Sequence, residues 1–190
     1  MAGTKQTVSF AIHAAYIAAY GNGQSAATWV EIPLIKEGTI NLSLNEAEVT
    51  DGEGVLHHLF YHTQRARGTL RCARDAMRVI ELITGNGSSS ALGTEEIVFG
   101  TDAEIQPPLF RLMMVAKAED DSGNEGYFAV YGYKARGRMT IVQMADTQAA
   151  EYAFDYQLFR SNRNTDGDSV PEAYGKIQFL RTSEPTAETS

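Results

Sequence analysis

The sequence predicts a mainly β protein with a single α-helix, and two patterns carry that prediction. Apolar residues alternate with polar ones at period two in several runs, and clusters of glycine, asparagine and aspartate separate those runs. Only one stretch repeats its apolar residues at helical spacing. With 190 residues, 43% of them hydrophobic, the chain has the size and composition of one folded domain. We assign residues 1–182 to that domain and the polar residues 183–190 to a flexible tail.

Net charge and cysteine use narrow the class of function. The formal net charge is −8, which argues against a protein that grips phosphates through a basic surface. Cys72 is the only cysteine, so an internal disulfide is excluded and a small apolar core residue is its expected role. No secretory signal and no stretch long enough for a membrane span is visible. We therefore expect synthesis and folding in a cytoplasm.

The first half of the chain predicts several strands. Residues 10–20 are rich in alanine, which favours helix, but the glycines that follow and the pattern of residues 28–32 fit a pair of strands, and we favour extended structure. Ile40, Leu42 and Leu44 alternate with polar residues and predict the next strand. Residues 68–73 are predicted to form the strand that returns from it.

A short helix is predicted after these strands. Asp75 can cap its N-terminus, and its apolar face repeats at the spacing i, i+3, i+4, i+7. That face consists of Ala76, Val79, Ile80 and Ile83. Gly85 stands where the helix is expected to stop. Residues 86–90 are expected to form a flexible loop.

The second half carries the strongest strand patterns. Apolar residues alternate from Phe110 to Ala118 and again from Tyr127 to Tyr133. The turn-forming residues between these runs predict a β-hairpin. A further strand alternates through residues 151–158, and we expect it to pair with residues 139–144. Ile177 and Phe179 then predict a short last strand.

The most informative segment, residues 49–67, runs from acidic through apolar and aromatic to basic. Opposite charges on either side of an apolar stretch are typical of a surface that meets a partner, such as another copy of the same chain. The predicted contact residues are Glu46, Glu48, Val49, Asp51, Glu53, Val55, Leu56, His57, His58, Leu59, Phe60, Tyr61, Arg65 and Arg67.

Signals for catalysis or metal binding are weak. His57, His58 and His62 are close in sequence, but no further ligand of suitable type stands beside them, so surface or interface roles are favoured. Residues 162–167 look like the first half of an EF-hand loop, yet its twelfth position is Ala173, and a turn between strands is favoured. No nucleophile, phosphate-loop or zinc-protease motif is present. The sequence therefore predicts no enzyme, no catalytic residue, no metal and no cofactor.

Several short motifs follow one another along nearly the whole chain. They are Trp29 with Ile32-Pro33-Leu34, Gly38-Thr39-Ile40, Gly54-Val55-Leu56, Phe60-Tyr61, Gln64-Arg65-Ala66, Leu82-Ile83-Thr84-Gly85, and residues 107–112, 120–127, 131–134 and 159–162. In this serial order the chain resembles the major tail proteins, or tail tube proteins, of long-tailed siphophages. No single motif is diagnostic, and the order carries the resemblance.

The resemblance implies a β-sandwich or barrel-like tail-tube fold with one flanking α-helix. It implies a long loop or hairpin at about residues 45–67 that reaches the next ring, because subunits of this family form homo-hexameric rings that stack into a hollow tube. The implied partners are other copies of the chain, a tape measure protein in the lumen, and tail tip and tail terminator proteins. Genomic DNA would pass through the tube without being specifically bound, and the location would be the virion.

Two other functions stay open at this point, besides an enzyme of unknown type that would rest only on the histidine cluster and the acidic loops. A tube protein of a type VI secretion system shares the general architecture of the siphophage tube. A β-sandwich module that binds carbohydrate or a protein ligand would use Trp29 and the tyrosines as a platform, although core packing is the favoured role of those aromatic residues.

Overall fold

A computed structural model describes residues 5–9, 12–50, 56–73, 77–85, 88–91, 94–97, 106–119, 125–145 and 148–180. The elements in the first half are β1 (Lys5–Ser9), β2 (Ile12–Ala19), β3 (Val30–Glu31), β4 (Ile35–Thr50), β5 (Leu56–Ala73), α1 (Met77–Thr84), β6 (Ser88–Ala91) and β7 (Thr94–Ile97). Those in the second half are β8 (Phe110–Glu119), β9 (Glu125–Ala145), β10 (Gln148–Leu158), β11 (Ser161–Arg163), β12 (Ser169–Ala173) and β13 (Gly175–Leu180). The predicted fold class, mainly β with one flanking helix, is confirmed.

One large antiparallel sheet organises these strands. In the described part of the chain its order is β1-β4-β5-β10-β9-β8-β2-β3, and β13 also pairs with β9. Strand β9 uses residues 125–135 against β8 and residues 135–145 against β10, so it links the two halves of the sheet. Two small hairpins, β6-β7 and β11-β12, lie outside the sheet.

The sheet curls so that its inner face encloses the core. Strand β4 approaches β2 and β8 closely at Gly38, where an added Cβ would lie 2.2 Å from Ile12 Cδ1 and 2.8 Å from Met114 Sδ. The absence of a side chain therefore lets β4, near one edge of the sheet, approach β2 and β8, near the other edge. The buried cluster between them comprises Ala15, Ile17, Ile32, Ala66, Leu70, Cys72, Val79, Ile80, Ile83, Phe110, Leu112, Met114, Ala135, Phe154, Tyr156 and Leu158.

Helix α1 covers this core as its apolar spacing predicts. Val79, Ile80 and Ile83 are all buried, which confirms the predicted face. The helix ends at Thr84, and the next residue is Gly85, whose φ of 77° suits glycine better than any other residue. Asp75 and Ala76, the predicted start of the helix, lie outside the described residues.

The strand predictions for the second half are confirmed, with one difference in continuity. Strands β8 and β9 form the expected hairpin, β10 pairs with the second part of β9, and β13 is the expected last strand. The two predicted runs, 127–133 and 139–144, are one strand, β9. Pairing with β10 carries β9 across Gly137, a residue with low intrinsic preference for strands. The turn residues 120–124 lie outside the described residues.

Two further predictions concern the first half of the chain. The extended form of residues 12–19 is confirmed as β2, which pairs with β3 through Tyr16 and Glu31. The expectation of a flexible loop at residues 86–90 is wrong for residues 88–90, because these serines belong to β6 and pair with β7. Pairing with a neighbouring strand outweighs weak intrinsic propensity. Residues 181–190, which include the predicted tail, lie outside the described residues.

No helix within the described ranges is long and apolar enough to cross a membrane.

Candidate assembly surface: a hairpin arm and its anchorage

Strands β4 and β5 form a long hairpin whose outer part leaves the sheet. They pair from Ile35 and Cys72 at the base to Thr50 and Leu56 near the tip. Strand β1 borders β4 only along residues 39–43, and β10 borders β5 only along residues 66–73. Among the described residues, 44–50 and 56–65 therefore pair only with one another. We call these residues the hairpin arm, and at roughly 3.4 Å per residue it extends about 24 Å beyond the sheet.

The arm departs from the sheet at a β-bulge. Ser43 pairs with Arg65, but the next residue, Leu44, pairs with Thr63, so Gln64 has no opposite residue. An extra residue in one strand bends the pair and increases its twist. The bulge thus marks the foot of the arm and changes its direction relative to the sheet.

All the predicted contact residues that the structure describes lie on the arm or at its foot. Those of β4 are Glu46, Glu48 and Val49, and those of β5 are Leu56, His57, His58, Leu59, Phe60, Tyr61, Arg65 and Arg67. Asp51, Glu53 and Val55 lie outside the described residues. The role of this set in contacts between subunits remains a prediction.

The pairing register arranges the charges of the segment along the arm. Glu48 lies opposite Leu59 and Glu46 opposite Tyr61, in the outer part of the arm. Arg65 lies opposite Ser43 and Arg67 opposite Asn41, at the foot. The acidic and basic ends seen in the sequence therefore become an acidic outer part and a basic foot.

A buried tyrosine anchors the foot of the arm to the sheet. Tyr156 on β10 reaches across β5, and its hydroxyl donates a hydrogen bond to the Thr39 carbonyl on β4 at 2.7 Å. Gly68 makes room for this contact, since an added Cβ would lie 1.9 Å from that carbonyl oxygen and 2.4 Å from the tyrosine hydroxyl oxygen. Burial raises the pKa of Tyr156 above its ordinary value, so the group remains a neutral donor.

A group of exposed charges lies at the base of the same hairpin. Arg71 lies 3.8 Å from a carboxylate oxygen of Glu37 and 3.6 Å from one of Glu151, and Lys36 donates a hydrogen bond to Glu151. The hydrogen bond from Lys36 lowers the pKa of Glu151, and the charges of Lys36 and Arg71 act in the same direction. Because the group is open to solvent, it contributes little to stability.

The sequence prediction missed a buried arginine that joins two loops. Arg111 is 1% exposed, on the face of β8 opposite the main core. Its guanidinium donates to the carbonyls of Ser25 at 2.6 Å, Gly23 at 2.9 Å and Thr165 at 3.1 Å. Desolvation lowers the pKa of Arg111, and the charges of Tyr20 and Asp166 oppose that shift. The only signal for this residue in the sequence was its position, since a charged Arg111 alternates with the apolar residues Met113 and Val115.

The loop that resembled half an EF-hand is a turn between β11 and β12, as favoured. The Asn164 side-chain oxygen accepts hydrogen bonds from the backbone amides of Asp166 at 2.9 Å and Asp168 at 2.8 Å. Gly167 completes the turn with a φ of 88°. An oxygen that binds two amides of its own turn shapes the backbone, as asparagine does in many turns.

Cys72 has the core role that the sequence predicts. It is fully buried in the main core, and desolvation raises its thiol pKa to about 11. A thiol with that pKa is a poor nucleophile at neutral pH. Among the described residues, no cluster of His, Cys, Asp and Glu is arranged to hold a metal ion. The side chains of His57, His58 and His62 lie outside that description.

Three of the aromatic residues considered for a binding platform pack against a second, smaller cluster. Trp29, Tyr127 and Tyr131 lie partly buried against a second cluster on the outer face of β2 and β8. The buried members of that cluster are Ala14, Tyr16, Met113 and Val115. The favoured packing role is thus confirmed only in part for Trp29, Tyr127 and Tyr131, which are packed on one side and partly exposed on the other.

Fold and geometry together define a mainly antiparallel β protein that projects a hairpin arm from a curled sheet. No protein-family model and no curated protein matches the chain. One of the solved structures with detectable similarity is a chain of the PVC sheath-tube complex, an extracellular contractile injection system, in its extended state. The identity is 13%, the TM-score is 0.41, and the match covers 87% of this chain and 88% of the other. A likeness at that level carries no functional argument, so the function rests on the geometry of this chain.

Proposed function

We propose that the chain is a structural tube protein of a phage tail, whose copies form hexameric rings that stack into a conduit for DNA. The observation that carries the proposal is the hairpin arm. An isolated pair of strands is marginally stable in water, and its two edges expose unpaired amide and carbonyl groups. An arm that extends about 24 Å from its sheet therefore needs a partner surface.

A second copy of the chain is the partner that best fits the arm. Its outer part is acidic and its foot basic, so two copies displaced along the arm's direction, with the outer part of one beside the foot of the next, present opposite charges to each other. Strand β1 supports the same conclusion, since it borders β4 on one side and no described strand on the other. Closure of a ring would cover such an edge.

The energetics favour assembly that is cooperative. Burying five large apolar side chains of the arm segment at about 1.5–3 kcal/mol each gives about 7–15 kcal/mol per subunit, before the cost of association is subtracted. Association costs of about 4–15 kcal/mol remove much of this gain, so one subunit alone adds weakly. Several contacts made at once by a ring give a strong interaction. Free subunits can then stay dispersed until a tail tip supplies a template.

Two features support the conduit role: the net charge of the chain and the serial resemblance of its motifs to tail tube proteins. A net charge of −8 suits a wall that DNA passes without adhering, because phosphates are repelled rather than neutralised. A tape measure protein in the lumen and a terminator at the end of the tube complete the proposed set of partners. The virion is the proposed location.

Electron microscopy and sedimentation velocity of the purified chain test the proposal. We expect rings or tubes above a threshold concentration. The double variant Leu59→Ser with Phe60→Ser should raise that threshold by about tenfold or more, since it removes two apolar side chains from the arm. Its melting temperature should stay close to that of the wild type, because the arm projects from the folded sheet.

A matched control uses two exposed apolar residues away from the arm. Ile177 is 63% exposed and Leu34 is 60% exposed, and replacing both with serine should leave assembly unchanged. Two results would contradict the proposal: a wild-type chain that stays monomeric at millimolar concentration even with tail tip proteins, or arm variants that assemble as well as the wild type. A monomer that binds glycans would favour the alternative function of a binding module.

A further inference from the structure

An open cleft of about 550 Å³ lies at the foot of the arm, on the outer face of the sheet. Strands β5, β9 and β10 form its floor, and Pro107 closes one side. The charged and polar side chains that line it are Arg67, Arg136, Arg138, Asp155 and Gln157. Such a concentration of arginine is unexpected on a chain whose net charge is −8.

The strand register brings these arginines together. Arg67 lies opposite Gln157, and Gln157 lies opposite Arg136 on its other side. Arg138 is two residues further along β9, opposite Asp155. Tyr156, between Asp155 and Gln157, is buried in the core, so its neighbours on either side belong to the outer face.

The cleft arginines lack the acceptors that arginine normally has. Within the described part of the chain, no ion pair or side-chain hydrogen bond involves Arg67, Arg136 or Arg138, and the Nε of Arg136 is buried without a hydrogen-bond partner. Arg71, further along the same face of β5, pairs with Glu37 and Glu151. The Nε of Arg111 is also buried without a partner, so this feature alone does not mark a contact site. The cleft arginines differ from Arg111 because they line an open surface, where an acceptor supplied from outside the subunit can reach their guanidinium groups.

We infer that this cleft receives the acidic outer part of the arm from a second copy of the chain, with Glu46 and Glu48 facing Arg136 and Arg138. The inference rests on the proposed function, because it names the surface at which one subunit meets the next. Guanidinium and carboxylate form paired, charge-assisted hydrogen bonds, which are among the stronger polar contacts in proteins.

The spacing of the charges fits two extended strands lying side by side. Glu46 and Glu48 are alternate residues of β4, and Arg136 and Arg138 are alternate residues of β9, with no register shift inside either pair. Alternate residues in a strand are about 6.8 Å apart and lie on the same face. The two pairs can therefore meet one to one.

Carboxylates on the same face as the cleft arginines favour a protein carboxylate over a nucleic acid as the group that binds there. Asp155 lies within the cleft, and Glu37 and Glu151 lie further along the same face of the sheet. These carboxylates would repel the neighbouring phosphates of a bound strand. Two carboxylates of an arm, by contrast, need only the two arginines opposite them.

The position of the cleft also explains how the contact would propagate. The arm's outer part and the cleft at its foot are different surfaces of one chain, so the contact is heterologous and each bound copy presents a new free arm. The repeat along the stack would then be set by the length of the arm.

A complementation experiment with two charge-reversal variants tests the inference. The cleft variant carries Arg136→Glu and Arg138→Glu, and the arm variant carries Glu46→Lys and Glu48→Lys. Each variant alone sets like charges against each other, so its assembly threshold should rise by about tenfold or more. In an equimolar mixture each arm meets a cleft of opposite charge, and the wild-type threshold should return.

Two further measurements guard against misfolding and general charge effects. The variant Arg67→Glu with Arg138→Glu changes only exposed residues, retains Arg136, and should also be rescued by the arm variant. The control Arg78→Glu with Arg160→Glu makes the same change of charge away from the cleft, and it should assemble like the wild type. Melting temperatures close to the wild-type value would show that each variant is folded.

The outcomes separate this inference from the proposed function. Tubes that form in every variant would overturn the cleft contact and leave the tube function standing. A chain that never assembles, wild type included, would overturn both. Loss in the cleft variant without rescue by the arm variant also overturns the inference. Binding of a labelled single-stranded oligonucleotide that Arg136→Gln abolishes would replace the protein partner with nucleic acid.

Discussion

Two arginine environments in this molecule differ in what satisfies their guanidinium groups. Arg111 is 1% exposed, and three main-chain carbonyls accept hydrogen bonds from its two terminal nitrogens, while its Nε has no partner. The arginines of the cleft line an open surface and have no acceptor among the described residues. The first environment holds two loops of one subunit together, whereas the second has the form of a contact waiting for a partner. Substituting Arg111 should therefore lower the stability of the subunit, whereas substituting the cleft arginines should not. Assembly should instead depend on the cleft arginines and not on Arg111.

The largest effect is expected at Arg111. Replacing a buried ion by an apolar residue is sometimes harmless when its partner is another ion, since both can be removed. Here the partners are the carbonyls of Gly23, Ser25 and Thr165, which remain behind without donors. Arg111→Leu should therefore lower the free energy of unfolding by about 3 kcal/mol or more. Urea denaturation followed by the fluorescence of Trp29, the only tryptophan, measures the change.

Two variants control for charge and for bulk at this position. Arg111→Lys keeps the charge but loses the planar fork, so an intermediate loss is expected. Arg78→Leu removes an arginine from the helix surface, where its side chain is 64% exposed, and should change stability by less than about 0.5 kcal/mol. If Arg111→Leu is as stable as the wild type, the junction of the two loops does not depend on this residue.

An intermediate effect is expected at Gly167, where the β11-β12 turn meets the loop that follows β2. Its φ is +88°, and an added Cβ would lie 2.3 Å from the Gln24 carbonyl oxygen. Gly167→Ala should therefore cost about 1–3 kcal/mol, from backbone strain and from overlap with that carbonyl. Thermal unfolding by circular dichroism provides the measurement.

Gly21→Ala is the matched control for this substitution. Gly21 also has a positive φ, +56°, but an added Cβ there would meet nothing within 4 Å. The alanine at position 21 reports the backbone strain alone, about 1 kcal/mol. Equal losses at the two positions would show that overlap with the Gln24 carbonyl adds no cost beyond the backbone strain.

The difference between local patterns and long-range contacts explains how far the sequence could predict the structure. Alternation gave β8, β10 and β13 directly, and helical spacing gave the buried face of α1, because one face of each element must be buried. The contiguous charges and apolar residues of the arm predicted a contact surface, whereas its extension from the sheet was expected only from the serial resemblance. These features are local, and local features can be read from a single sequence.

The features that were missed depend on pairing between distant parts of the chain. Arg67 and Arg136 meet only because both strands pair with β10, and Arg111 is satisfied by loops that precede and follow it by many residues. The serines of β6 form a strand only because β7 pairs with them. A single sequence gives no register for such long-range pairs.

The smallest effect on stability is expected in the cleft, where Arg136→Gln with Arg138→Gln should not lower the free energy of unfolding. The substitution removes a buried donor without an acceptor and reduces repulsion among like charges, so stability should stay within about 0.5 kcal/mol of the wild type or rise. Added salt should reduce any gain in the free energy of unfolding, because screening weakens the repulsion between the arginines. Urea denaturation at low and high salt gives both values, and Arg71→Gln, which loses contacts to Glu37 and Glu151, serves as the control on the same face. A loss as large as that of Arg111→Leu would mean that the cleft arginines hold the subunit together, and they would then no longer be available to a second copy.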